Sequence, residues 1–283
     1  MQTKPVTKPS QSSPKEKGGK KLKKRTLIAA AFILVAVPAT LFIGSQWLKD
    51  FNFSLFGATL SIRSYYFISL FMIICTMIPF FMVFEKRKPQ SRELIVIAML
   101  SAIAVAGRAA FFMLPQFKPM MAIVIIAGVC FGAESGFLVG AVSAFVSNFF
   151  FGQGPWTPWQ MFSFGIIGFL AGILFQKGFL KRSRLALCVF GGLSTFFIYG
   201  LLMDFSSVMM VSSTANQGSF WAVVLAGIPF NLIHAAATIL FLCILSRPMI
   251  EKLDRIKIKY GLLEPCLLYT SLNSVPRVRL FAD

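Results

Sequence analysis

Acidic side chains are scarce in this sequence: 10 Asp and Glu stand against 28 Lys and Arg, and there is one histidine, His234. That leaves little material for a paired-carboxylate active site or a histidine-based metal site. The five cysteines, Cys75, Cys130, Cys188, Cys243 and Cys266, are scattered and none stands in CxxC spacing. They read as small apolar residues, with no metal or disulfide framework implied. A Ser/His/Asp triad lacks an accompanying nucleophile motif, and no GxxxxGK[ST] phosphate loop occurs. The sequence implies no cofactor and no ATP hydrolysis by this chain itself.

Apolar residues, by contrast, make up 57% of the chain, and mean hydropathy is +0.75. The apolar runs repeatedly approach the roughly 20 residues that a bilayer crossing needs. A transmembrane β-barrel would show alternating segments of about ten residues, so the fold class is an all-α polytopic membrane protein. Residues 1–25 are basic and polar and are expected to be disordered on the cytoplasmic side. Two N-terminal spans are drawn within 26–84, with an amphipathic stretch, Lys49 to Ser64, between them.

After a basic hinge at 85–92, a six-helix membrane domain is drawn over 93–252. Its approximate spans are Glu93–Met113, Pro119–Phe131, Ser135–Phe151, Pro158–Phe175, Leu185–Val211 and Ser219–Leu245. The second and third are short and meet at a tight turn, so two full crossings and one broken hairpin are both open. A tail is drawn over 253–283. Within it, Cys266-Leu-Leu-Tyr-Thr-Ser271 resembles a translated adaptor end, and 266–283 reads as a gene-end artefact.

The net charge of +18 does not point to nucleic acid, because each Lys/Arg cluster flanks an apolar span. Under the positive-inside rule these clusters mark cytoplasmic segments, which gives a multi-pass cell-membrane protein with both termini inside. The segment Phe151–Phe162 then falls outside. It places two prolines, two tryptophans and two glutamines between membrane-length spans, where irregular backbone is tolerated only at the interface or against a protein cavity.

Polar residues at membrane depth are default site candidates. They are Arg108, Asn148, Gln160, Asp204, Asn231 and His234, joined in the loop by Gln153, Trp156 and Trp159. Arg108 either snorkels to the interface, pairs with Asp204 or clamps a ligand. Asn231 and His234 share a helix face, as a hydrogen-bonded core pair or a cavity lining. Trp156 and Trp159 serve either as interfacial belt residues or as a rigid platform for a flat, mostly uncharged heterocycle. Small residues form ladders at Ala98, Ala102 and Ala106, at Gly132, Gly136, Gly140 and Ala144, and at Gly165, Gly168 and Gly172. Such ladders bring helix backbones together in lipid. The alanine ladder, close to the hinge, is placed to face another membrane protein.

Ala98-Met-Leu-Ser-Ala102, the Gly-rich hairpin and Asn148-Phe-Phe-Phe-Gly-Gln-Gly-Pro-Trp-Thr-Pro-Trp-Gln160 together resemble the substrate-binding S components of energy-coupling factor (ECF) vitamin transporters. The resemblance covers roughly Arg92 to Lys252 and leaves the two N-terminal spans outside the usual core. It implies a bundle that binds a vitamin from outside and docks its alanine face on a membrane-embedded T component. Two cytoplasmic ATPases would then drive release inside. The loop leans toward the cobalamin-type subgroup. A stand-alone secondary transporter and, behind it, a membrane-embedded enzyme are the alternatives.

Overall fold

The computed structural model describes residues 51–55, 58–62, 71, 91–211 and 217–261. The basic tail, the two N-terminal spans, most of the hinge and residues 266–283 lie outside the described residues. Within the amphipathic stretch a hairpin forms from β1 (Phe51–Leu55) and β2 (Ala58–Ile62). Its antiparallel register sets Phe51 opposite Ile62, Phe53 opposite Leu60 and Leu55 opposite Ala58. The polar residues Asn52 and Ser54 face Ser61 and Thr59 in the same register. Amphipathicity here therefore has the period of two that suits a strand pair.

From Ser91 onward the described chain is helical. The elements are α1 (Ser91–Ala110), α2 (Met120–Phe131), α3 (Ala133–Phe151), α4 (Thr157–Gln176), α5 (Arg184–Leu193), a π-helical segment (Ser194–Gly200), α6 (Leu201–Val211) and α7 (Gln217–Tyr260). Helix α5, the π segment and α6 run on as one rod. Among the described residues five helices are long and apolar enough to cross a membrane, and α2 is a shorter apolar one. Outer surfaces carry large apolar side chains, such as Leu185, Val189, Leu193, Phe197 and Leu201 at every fourth position. A surface of that kind suits lipid, not water.

Helix α2 resolves the ambiguity of the short spans. All twelve of its residues are buried, and at helical rise it is roughly 18 Å long, well short of a bilayer core of about 30 Å. It packs against α1, α3, α4, α5 and α7, so it is a central strut enclosed by protein. It is neither a full crossing nor half of a lipid-exposed hairpin.

The last carbonyls of a helix have no partner within it, and enclosure leaves no bulk water to supply one. At the end of α2 side chains take that role. Gln176 donates to the carbonyls of Val129 (3.4 Å) and Cys130 (3.1 Å), Arg182 to Val129 (2.9 Å) and Lys257 to Cys130 (3.3 Å). Cations there also meet the negative end of the helix dipole. We call this the basic end of the bundle and the opposite one the loop end.

One residue, Gly132, joins α2 to α3, with φ of 103°. A β-carbon is strained at that φ, so glycine makes this one-residue reversal feasible. Beyond it α3 and α4 run antiparallel in close contact. The carbonyl oxygen of Gly168 occupies the space that a Cβ on Gly128 or on Gly136 would need, and a Cβ on Gly140 would lie 2.6 Å from the Phe164 carbonyl. The glycine ladders are thus internal packing devices. The alanine ladder differs: Ala98, Ala102 and Ala106 lie on the outer surface of α1, beside exposed Ile95, Met99 and Ile103.

Helix α7 has 44 residues and contains Pro229 and Pro248. At about 66 Å it greatly exceeds a membrane crossing. Past Pro248 it still packs on the bundle, burying Ile250 and Leu253 and pairing Asp254 with Arg182 at 3.7 Å. The sequence-drawn limit at residue 252 therefore falls inside a helix.

Gly168→Val is expected to remove the folded monomer peak from detergent gel filtration, because overpacking here pushes on backbone. The cost belongs at the upper end of the roughly 1–3 kcal/mol of overfilled cores. Ala236→Val, on the outer surface of α7, should leave the peak unchanged.

Candidate functional site

The antiparallel register of α3 and α4 that brings glycines together at the basic end brings polar side chains together at the loop end. Asn148, fully buried on α3, donates through Nδ2 to Thr157 Oγ1 at 3.0 Å and to Gln160 Oε1 at 2.9 Å. Its Oδ1 accepts from Arg108 Nη1 at 2.9 Å, and the same nitrogen donates to Ser147 Oγ. A buried amide with both ends engaged ties α1, α3 and α4 to one another.

Thr157 opens α4, and its hydroxyl is fully used. It donates to Gln153 Oε1 at 2.9 Å and accepts from Asn148 and from the Gly154 backbone N–H at 3.2 Å. Gln153 in turn donates to the Phe145 carbonyl at 3.1 Å. The loop proper is therefore short, from Gly152 to Trp156, and pinned at both ends. Trp156 folds its ring over Gly154, where a Cβ would clash.

Arg108 sits in the last turn of α1, half-buried, with its guanidinium 4.9 Å from the centre of the Phe151 ring. Lys118, in the loop between α1 and α2, stands 5.9 Å from the same ring. Both distances are within cation–π range. Burial, and then the neighbouring Arg108 charge, hold the Lys118 ammonium below its ordinary pKa.

Gln160 also lies beside Tyr199. The π-helical segment carries Tyr199 into the core, where its ring meets His234 edge-on at 4.7 Å and Phe164 at 5.0 Å. His234 is 5% exposed, and its Nδ1 has no hydrogen-bond partner among the described residues. The network thus runs from the loop through Asn148 and Gln160 to Tyr199 and His234.

Three expectations need correction. Arg108 does not pair with Asp204: its polar partners are Ser147 and Asn148, while Asp204 accepts from Asn231 at 2.9 Å. Asn231 and His234 do not form a hydrogen-bonded pair, since the first serves Asp204 and the second packs on Tyr199. Trp159 is neither a belt residue nor half of an exposed platform. It lies inside α4, 0% exposed, with its ring 5.9 Å from Phe205.

Of the sequence candidates, Arg108, Asn148 and Gln160 come together directly, Gln153 joins them through Thr157, and His234 lies further along beside Tyr199. Trp156 borders the group. Asp204 and Asn231 form a separate pair packed against Gly200 and Gly227. Ser147, Thr157 and Tyr199 were missed. The hydroxyls could have been found from the antiparallel register, but Tyr199 depends on a π segment that no spacing rule announces. Among the described residues no group of three His, Cys, Asp or Glu side chains converges. Donors, acceptors and cations with aromatic walls equip such a site for recognition.

The fold and the site define a multi-pass helical membrane protein with a polar network near one end. A family model described as "ECF transporter, substrate-specific component" matches residues 92–246, and the chain belongs to that family: it is a transporter subunit. Relatives include a UPF0397 protein of Aliivibrio salmonicida, 30% identical over 53% of this chain and 80% of its own length. One from Vibrio atlanticus is 33% identical over 34% of this chain and 56% of its own. Another, from Aliivibrio fischeri, is 29% identical over 44% and 68%. No solved structure matches.

Asn148→Ala is expected to lower stability by about 1–3 kcal/mol, because it strands buried partners on two helices. Gln153→Ala, whose bonds lie nearer the surface, should cost less. Thermal unfolding of the two variants in one detergent compares them.

Proposed function

We propose that the chain captures a vitamin or related micronutrient at its loop end and delivers it to the cytoplasm in partnership with a T component and two ATPases. The observation that carries this reading is the buried network of Arg108, Asn148, Thr157, Gln160, Tyr199 and His234 directly beneath the pinned loop. A substrate-specific component needs such a set of fixed donors and acceptors, and this is where the bundle concentrates them. Lys and Arg gather at the opposite end, which supports orienting the loop end outward.

The docking face in this reading is the outer surface of α1. Ala98, Ala102 and Ala106 leave a shallow stripe flanked by Ile95, Met99 and Ile103, suited to close approach of a second helix in lipid. Mass spectrometry of small molecules carried through detergent purification identifies the cargo, with cobalamin-type compounds the first to look for. The reading fails if the full chain, expressed with a T component and ATPases, neither associates with them nor retains any small molecule.

Ala102→Leu is expected to reduce copurification of the T component by about tenfold, the scale of losing roughly 1.4 kcal/mol of docking energy. Cargo retained by the isolated subunit should be unchanged, because Ala102 faces away from the network.

A further inference from the structure

Charge at the loop end is one-sided. Of the five acidic residues in the described region, Glu93, Glu134, Glu251 and Asp254 lie at the basic end and only Asp204 lies in the loop half. Asp204 is occupied by Asn231. Arg108 and Lys118 nevertheless converge on the face of one ring, Phe151, and among the described residues no carboxylate pairs with either. Bringing two like charges together in a partly desolvated site is costly, and such cations ordinarily come with a partner.

The guanidinium retains capacity for that partner. Both of its hydrogen bonds leave from Nη1, so donors on Nε and Nη2 remain for a planar or tetrahedral anion. A second observation lies deeper in the bundle. The buried His234 Nδ1 has no hydrogen-bond partner among the described residues, and its ring packs edge-on against Tyr199 at 4.7 Å. A buried polar atom without a protein partner is a position where a bound molecule gains a hydrogen bond.

We propose that the cargo site recognises an anionic group, a carboxylate or phosphate, held by Arg108 and Lys118 beside Phe151, with a hydrogen-bonding group of the same molecule meeting His234 Nδ1. This rests on reading the loop end as the capture site, and it replaces the mostly uncharged heterocycle expected from the loop's composition. A free solute and the phosphate of a lipid headgroup share this chemistry.

The test uses inorganic phosphate as the probe, compared with chloride at equal ionic strength, on the full chain in a neutral detergent. Phosphate is expected to raise the melting temperature. Arg108→Gln should weaken the half-saturating concentration by about tenfold, as expected for a lost charge-assisted hydrogen bond. Arg108→Lys should recover part of that loss. Lys118→Gln, in a loop outside the helices, tests the second cation even if the Arg108 variants fold poorly.

The proposal is overturned if phosphate acts no differently from chloride, or if Arg108→Gln and Lys118→Gln both keep the full response. Nanodiscs separate the two sources. A phosphate response that persists when phosphatidylglycerol replaces part of the phosphatidylcholine supports a free solute. Suppression by phosphatidylglycerol assigns the subsite to lipid and overturns anion recognition of cargo. A neutral molecule retained through purification also overturns it and leaves the capture reading standing. Failure to bind a T component, by contrast, counts against the capture reading and leaves the phosphate result intact.

Discussion

The rest of the structure depends on where one carbonyl oxygen sits. The Gly168 carbonyl fills the space that side chains would need at Gly128 and Gly136, so three helices meet there with nothing but backbone between them. In lipid, where apolar side chains gain little by leaving one apolar medium for another, such close contact supplies much of the association energy. It also sets the α3–α4 register. That register delivers Asn148 to Thr157 and Gln160 at the far end of the pair, so the polar network is a geometric consequence of the glycine crossing.

The second dependence is electrostatic. Helix α2 is enclosed at both sides and along its length, and its C-terminal carbonyls are met by Gln176, Arg182 and Lys257 from three different parts of the chain. The cations of the basic end therefore hold the strut in place as well as marking a membrane orientation. At the loop end Arg108 and Lys118 gather instead at the Phe151 ring, with no acid beside them among the described residues.

Much of this was legible in the sequence. Apolar length and flanking charge located five helices of the core, and the start of the sixth, to within a few residues, because crossing a bilayer demands both. Hydropathy could not say whether the neighbour of an apolar helix is lipid or protein, so α2 stayed ambiguous until its enclosure was seen. The last span was drawn to end at Leu245, yet α7 continues because Ile250, Leu253 and Lys257 find partners on the bundle. Arg108 and Asp204 were both picked out as polar residues of apolar spans, but position along a helix does not give the direction in which it presents a residue. Their supposed pairing failed on that ground. The loop's short reach, which leaves Trp159 inside α4, follows from Thr157 serving the start of that helix.

A strut with no lipid-facing side is insulated from the thickness of its membrane. When a bilayer thins or thickens, hydrophobic mismatch is taken up by tilt and bending of helices that touch lipid. In this bundle α1, α3, α4, the α5–α6 rod and α7 carry that strain. Helix α2, anchored at Gly132 and at its capped carbonyls, keeps its dimensions, and it gives the bundle an internal length standard that is independent of the surrounding lipid.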